Sequence, residues 1–236
     1  MSNSDSFDGA ALIGSRAARL RAVMRAQGVP ALLTSHPINI LYACGARNMT
    51  VFSLMGPFRM ALIFADGPSI LYEFAGCEHL AEGRPGVDQV RPAPGLTALS
   101  GAGYLAGAAR FAAEIADLCR SHGDGATLAI EGFDPPVSDA LRAQGLHLTD
   151  ATALLSEARR IKTPLEIATM RQAVALVQDA AADLEAAITP GASEVEVWAA
   201  FHRHLIATEG EYVSTRLFQS GPRTFPYFQE AGPRRM

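Results

Sequence analysis

The chain has 236 residues, 49% of them hydrophobic and 19% charged, a balance that excludes a disordered or collagen-like polypeptide and allows one large domain or two modest ones. Twenty basic against twenty-four acidic residues give a net charge of -4, and basic pairs occur only at Arg159-Arg160 and Arg234-Arg235, so no nucleic-acid partner is expected. The longest apolar runs are too short to cross a bilayer, and the polar opening from Met1 to Gly9 has no signal pattern, so the expectation is a cytoplasmic protein without a membrane partner.

In chain order, Leu12, Ala17, Leu20, Val23 and Met24 recur at helical spacing and predict a helix from Ala10 to Gln27, stopped by Gly28-Val29-Pro30. Ala31 to Thr34 is predicted as a short buried strand, and Asn39 to Cys44 as a second helix. Met60 to Ala65 and Ser69 to Phe74 form a predicted hairpin about Asp66-Gly67-Pro68. The Gly- and Pro-rich stretch 83–103 lacks periodicity and reads as a surface loop. A long apolar stripe from Leu105 to Cys119 predicts a helix, followed by a strand at Thr127 to Glu131 and a helix at about Pro136 to Gln144. This alternation indicates an α/β domain with a mixed sheet, ending near residue 150.

Ala151 to Ile161 is expected as a helical connector. Thr163-Pro164-Leu165-Glu166 then supplies an N-cap, a first-turn proline and an acid, and opens a long helix to about Ile188. Thr189-Pro190-Gly191 ends it, and Ser193-Glu194-Val195-Glu196 is a capping box for a helix running to Gly210, with a strand from Tyr212 to Phe218 beyond. Two helices and one strand leave apolar surface uncovered, so this half is expected to need a partner or further sequence.

The chemical inventory is thin. No Gly-rich phosphate loop or serine elbow occurs. Cys44, Cys77 and Cys119 show no CxxC spacing and read as reduced, packed thiols. His202 and His204 are two apart on a helix, point to different faces and read as solvated; His36 and His79 read as surface or capping residues. Glu194 and Glu196 are assigned to the capping box, and Asp179, Asp183 and Glu185 to a solvated helix side. The stretch from Arg216 to Arg235 differs, because aromatics, prolines and glycines crowd a short loop. Two readings stay open at even weight: a pocket wall in which Ser220, Arg223 and Tyr227 offer donors, or a tight structural loop.

Three blocks carry a family resemblance: Thr34-Ser-His-Pro-Ile-Asn-Ile-Leu-Tyr-Ala-Cys-Gly45, Glu157-Ala-Arg-Arg-Ile-Lys-Thr-Pro-Leu-Glu-Ile167 and Ile188-Thr-Pro-Gly-Ala-Ser-Glu194. In order and spacing they resemble the signatures of the creatinase and Xaa-Pro peptidase (M24, pita-bread) family. Within it, Ser214 to Leu217, Ser220 to Thr224 and Phe228 to Glu230, with Met49 and Pro57-Phe58-Arg59, look most like the dimethylsulfoniopropionate lyase branch. The resemblance implies a creatinase-type N-terminal domain with a mixed, ribonuclease H-like sheet at 10–150. From 157 to 236 it implies the first helices and strand of a pita-bread α+β catalytic domain.

The family's metal pair, divalent or iron, is held by Asp, Asp, His, Glu and Glu residues that fall after residue 236. The resemblance therefore implies that this chain holds no metal, cofactor or catalytic residue of its own, is inactive alone, and is a fragment, truncated product or gene-model artefact. In the peptidases a His follows the Ser-Gly motif; here Pro226 is followed by Tyr227 and Phe228, which weakens a peptidase assignment. Tyr227 and Phe228, with Phe52, suit an aromatic box around a sulfonium or quaternary ammonium head, and Arg223 completes the substrate-binding candidates; core packing is the alternative for the three aromatics. The resemblance places the loop at 49–59 over a partner subunit's site and so implies a homodimer. The leading expectation is the N-terminal portion of an enzyme that, when complete, acts on a small cationic or zwitterionic molecule. The alternatives are an Xaa-Pro aminopeptidase or dipeptidase, and a catalytically dead binding or dimerisation module.

Overall fold

A computed structural model of the chain describes residues 9–47, 56–96, 98–208 and 215–236. It divides into two units, Met1–Lys162 and Thr163–Met236.

In the first unit, helix α1 (Gly9–Ala26) buries Leu12, Ala17, Leu20 and Met24, as the helical spacing predicts. Its polar side is used too. Arg21 donates to the carbonyls of Phe64 and Gly67 at 3.1 and 3.2 Å, and Arg25 to that of Ala65 at 2.8 Å, so the helix grips a turn 40 to 46 residues away. Strand β1 (Ala31–Thr34) is wholly buried. Helix α2 (Pro37–Cys44) starts on its proline and ends at Gly45, whose φ of 66° and contact with Ile13 leave no room for a side chain.

Strands β2 (Met60–Phe64) and β3 (Ser69–Glu73) follow as the predicted hairpin, both buried at every position. Then come β4 (Gln89–Pro92), α3 (Tyr104–His122), β5 (Thr127–Glu131), α4 (Pro135–Ala143), β6 (His147–Asp150) and α5 (Thr152–Arg160). Among the described residues these strands form one mixed sheet of order β4-β3-β2-β1-β5-β6. The β1–β2 and β2–β3 pairs are antiparallel, and β3–β4, β1–β5 and β5–β6 are parallel.

The period-2 alternation of strand side chains sorts the core onto two faces. Leu33, Leu62, Ile70, Tyr72 and Leu128 pack with Phe111 and Ile115 of α3 and Val137 and Leu141 of α4. Leu32, Ile63, Leu71 and Ala129 pack instead with α1, α2 and α5. Because both faces are covered, the central strands read as continuous apolar runs. Burying each Leu or Ile in such a core contributes about 1.5–3 kcal/mol.

Two strands differ from the sequence reading. β4 lies inside the stretch read as a loop, and β6 follows the last predicted helix. Each is four residues long, half-exposed and at an edge of the sheet, so neither shows the alternation that betrays a strand. Helix α5, expected as a connector, is part of the first unit's core: Leu154, Leu155 and Ala158 are buried, and the Tyr42 hydroxyl donates to the Ala158 carbonyl at 2.8 Å.

In the second unit, α6 (Pro164–Ala187) and α7 (Glu194–Ala207) pack on one another. Both start with a complete capping box. Thr163 Oγ1 accepts the Glu166 amide at 3.2 Å while Glu166 accepts the Thr163 amide at 2.8 Å, and Ser193 and Glu196 repeat the exchange. His204 and Asp183, read from sequence as solvated, are joined across the two helices at 2.8 Å. Part of α6 remains bare, with Met170 and Val174 more than half exposed. The strand expected at Tyr212 to Phe218 falls partly outside the described residues; of its remainder, Leu217 makes a single bridge to Glu230.

Candidate functional site

The stretch singled out in the sequence, Arg216 to Arg235, folds around one carboxylate. Glu194 is the first residue of α7, and its side chain is completely buried. It accepts the Ser220 amide and the Ser220 hydroxyl, each at 2.8 Å, and the Gly232 amide at 3.0 Å, and it pairs with the Arg223 guanidinium. Burial alone raises the pKa of such a carboxyl. The bonds from Ser220 and Gly232 and the charge of Arg223 outweigh that effect and hold it below the ordinary range.

This corrects the assignment of Glu194 to the capping box. Only Glu196 stands three residues beyond the cap, where a side chain can reach back to the Ser193 amide. Glu194 faces the segment instead. The backbone completes the join: the Glu194 amide donates to the Arg234 carbonyl at 3.0 Å and the Val195 amide to that of Gly232 at 3.2 Å. Two amides that a helix start leaves without an intrahelical partner are thereby satisfied by the segment.

Around this hub the segment is cross-tied. Arg223 also donates to the Glu230 carbonyl at 2.7 Å and to Gln229 Oε1 at 3.3 Å. Arg234 donates to the Ser220 carbonyl at 3.0 Å, and Arg216 pairs with Glu230 at 2.8 Å. A side chain at Gly232 would collide with the Arg223 guanidinium, so glycine permits the close approach.

The segment's tip carries Phe225, Tyr227 and Phe228, which are 83%, 75% and 73% exposed. The rings of Tyr227 and Phe228 meet edge to face at 6.1 Å, and Phe228 has a φ of 75°, in the left-handed region. Of the four sequence candidates, Arg223, Tyr227 and Phe228 thus share one cross-tied segment, with Arg223 directed at Glu194. Phe52 lies outside the described residues, as does Met49. In this chain Tyr227 and Phe228 are surface rings rather than core aromatics. Sequence reasoning missed Glu194 and Gln229; the one available signal was a second glutamate in a capping box that needs only one.

A second polar cluster lies at the carboxyl ends of β1 and β5. Glu131 accepts Thr34 Oγ1 at 2.7 Å and Asn39 Nδ2 at 2.7 and 2.9 Å, and Arg159 donates to Asn39 Oδ1 at 2.8 Å. These groups satisfy one another and tie α5 to the sheet. Among the described residues no group of three or more His, Cys, Asp or Glu side chains is placed to hold a metal ion. Burial pushes the Cys44 thiol up to about 12 and that of Cys119 up to about 11, and all three cysteines are unbridged. Among the described residues no helix is long and apolar enough to cross a membrane.

Residues 16–161 match the Creatinase/Prolidase N-terminal domain. The chain belongs to that family. Two curated members similar to it are dimethylsulfoniopropionate lyases DddP. That of Roseobacter denitrificans is 34% identical over 234 residues, covering 96% of this chain and 52% of the relative. That of Roseovarius nubinhibens is 35% identical over 210 residues, covering 86% and 47%. The chain therefore spans about half the length of the curated relatives it matches.

Solved structures place the creatinase-like fold beyond the matched domain as well. The prolidase from Pyrococcus furiosus superposes with a TM-score of 0.69 at 19% identity, over 92% of this chain and 61% of that one. Dipeptidase PepE from Mycobacterium ulcerans superposes at 0.64 with 20% identity, over 98% and 58%. At these identities the likeness concerns the fold: a creatinase-type N-terminal domain followed by the opening of a pita-bread domain.

Proposed function

We propose that this chain is the N-terminal portion of a creatinase-like metalloenzyme whose complete form acts on a small cationic or zwitterionic substrate by lyase chemistry. The observation that carries this reading is the likeness to the two lyases, which at 34–35% identity runs through 86–96% of the chain. Sequence chemistry points the same way. No histidine follows His204, and the tip of the 216–235 segment offers aromatic rings in place of an imidazole.

In this reading the creatinase-like domain, expected from sequence at 10–150, extends through α5, and the pita-bread portion, expected from 157, begins at Thr163. Tyr227 and Phe228 form an aromatic face for a sulfonium head, where cation–π attraction contributes about 0.5–2 kcal/mol, and Phe52 stays a third candidate on the family resemblance alone. Arg223 holds the segment that carries two of them. The metal pair, divalent or iron, comes from residues outside this chain, and the enzyme works in the cytoplasm as a homodimer. For dimethylsulfoniopropionate the reaction is an elimination. A base removes the proton next to the carboxylate, the carbon–sulfur bond breaks with its electron pair leaving on dimethyl sulfide, and acrylate remains.

The test is to read the gene past codon 236, express the protein with any in-frame continuation, and offer it dimethylsulfoniopropionate and an Xaa-Pro dipeptide. Acrylate release without proline is the expected result. Proline release without acrylate would replace this reading with an Xaa-Pro aminopeptidase or dipeptidase, and turnover of neither would favour a binding or dimerisation module.

A further inference from the structure

Glu194 makes an unusual commitment for a surface segment. Its neighbour in the capping box, Glu196, keeps its side chain 60% exposed, whereas that of Glu194 is wholly buried. Taking a carboxylate out of water is costly unless it is paired and hydrogen-bonded. Here the compensation is complete. The Ser220 amide, the Ser220 hydroxyl, the Gly232 amide and the Arg223 guanidinium are four donors, matching the roughly four lone-pair sites of an ionised carboxylate. An uncharged amide of the same shape would turn its own donors toward donors.

The contacts continue outward from this hub to the tip. Arg223, fixed by Glu194, ties Gln229 and Glu230, the two residues that follow Phe228. Gln229 in turn donates to the Pro226 carbonyl at 3.0 Å, so Tyr227 and Phe228 are bracketed on both sides. A non-glycine residue at φ of 75° persists only where its surroundings over-determine it. The same bracket keeps two rings in water, with about three-quarters of their surface exposed, where an untethered loop would fold them onto nearby apolar surface.

We propose that Glu194 is a positioning residue: its carboxylate clamps residues 216–232 to the first turn of α7 and so fixes the direction in which Tyr227 and Phe228 face a cationic head group. The proposal rests on the lyase-type reading of the same segment, and its test has two arms so that the two can fail separately. The first arm is trypsin cleavage after Arg223 in the 236-residue chain. In the wild type the guanidinium is engaged and cleavage is slow; in Glu194→Gln it is expected to be about tenfold faster or more. Glu194→Asp should restore part of the protection, and Glu196→Gln, which breaks only the capping box, should leave this site slow. Should Glu194→Gln fail to fold, Ser220→Ala removes one donor and is expected to shift cleavage in the same direction by less.

The second arm follows the ring resonances of Tyr227 and Phe228, assigned with Tyr227→Ala and Phe228→Leu, during titration with dimethylsulfoniopropionate and with 4-methylpentanoate, in which carbon replaces the sulfonium. The wild type is expected to prefer the cation by up to about tenfold. Glu194→Gln is expected to lose that preference, which general loosening would not do selectively. Cleavage after Arg223 that is unchanged by Glu194→Gln overturns the clamp whatever the titration shows. Faster cleavage with an intact cation preference overturns the positioning role and leaves the substrate reading standing. No cation preference in the wild-type chain overturns the positioning role, and the substrate reading is then decided by acrylate release from the protein expressed with its in-frame continuation.

Discussion

A carboxyl held below its ordinary range stabilises the folded state only while it is ionised. For Glu194 burial acts against the charge, and the bonds from Ser220 and Gly232 together with Arg223 more than offset it. Its contribution is therefore complete at neutral pH and fades as pH falls below the ordinary glutamate value of 4.5 toward the lower value of the folded chain. Hydrogen exchange read at the Ser220 and Gly232 amides should lose protection over that interval, beyond the normal pH dependence of exchange. In Glu194→Gln these amides should be poorly protected already at pH 7. Equal protection of these amides in Glu194→Gln and the wild type at pH 7 would show that the carboxylate is not what holds them. At this scale the sequence was least informative. Spacing identified Glu196 as the reciprocal partner of Ser193, but the burial of Glu194 depends on Ser220, Arg223 and Gly232, which meet it only in three dimensions.

Among the elements, the helices were legible to within a residue or two wherever a stop or start signal is chemical. Gly28 and Pro30 bound α1 and the caps Thr163 and Ser193 start α6 and α7 as expected, whereas α2 opens on Pro37, two residues before the expected Asn39. Removing a cap hydroxyl should matter accordingly. Thr163→Ala and Ser193→Ala are each expected to lower stability by about 0.5–2 kcal/mol, measured by urea unfolding followed through helical ellipticity. The wholly buried strands were equally plain, because β2 is an unbroken apolar run and β1 and β3 are apolar but for Thr34, Ser69 and Glu73 at their ends. What escaped was the pair of sheet edges. β4 includes Arg91 and Pro92, and β6 starts on His147 and ends on Asp150; such composition protects an exposed edge from further pairing, and the same feature erases the strand pattern.

For the whole molecule, the sequence signatures and the comparisons agree on a creatinase-like chain spanning about half of its curated relatives. A consequence can be measured without any substrate. Met170 and Val174 on α6 are 53% and 56% exposed, with Val177 at 47%, and a contiguous apolar stripe of this kind favours association. The chain is expected to bind a hydrophobic dye and to self-associate with rising concentration. Met170→Lys combined with Val174→Lys should reduce both while leaving the helical ellipticity unchanged.

The order of the sheet also sets a timetable for synthesis. Strand β1 pairs on one side with β2, its near neighbour in the chain, and on the other with β5, with Thr34 and Glu131 joined across 97 positions. At a translation speed of about 5–20 residues per second, that second side waits on the order of 5–20 s for its mate to leave the ribosome. Until then a largely apolar ribbon stands with one row of amides and carbonyls open, a natural point of engagement for chaperones on the nascent polypeptide.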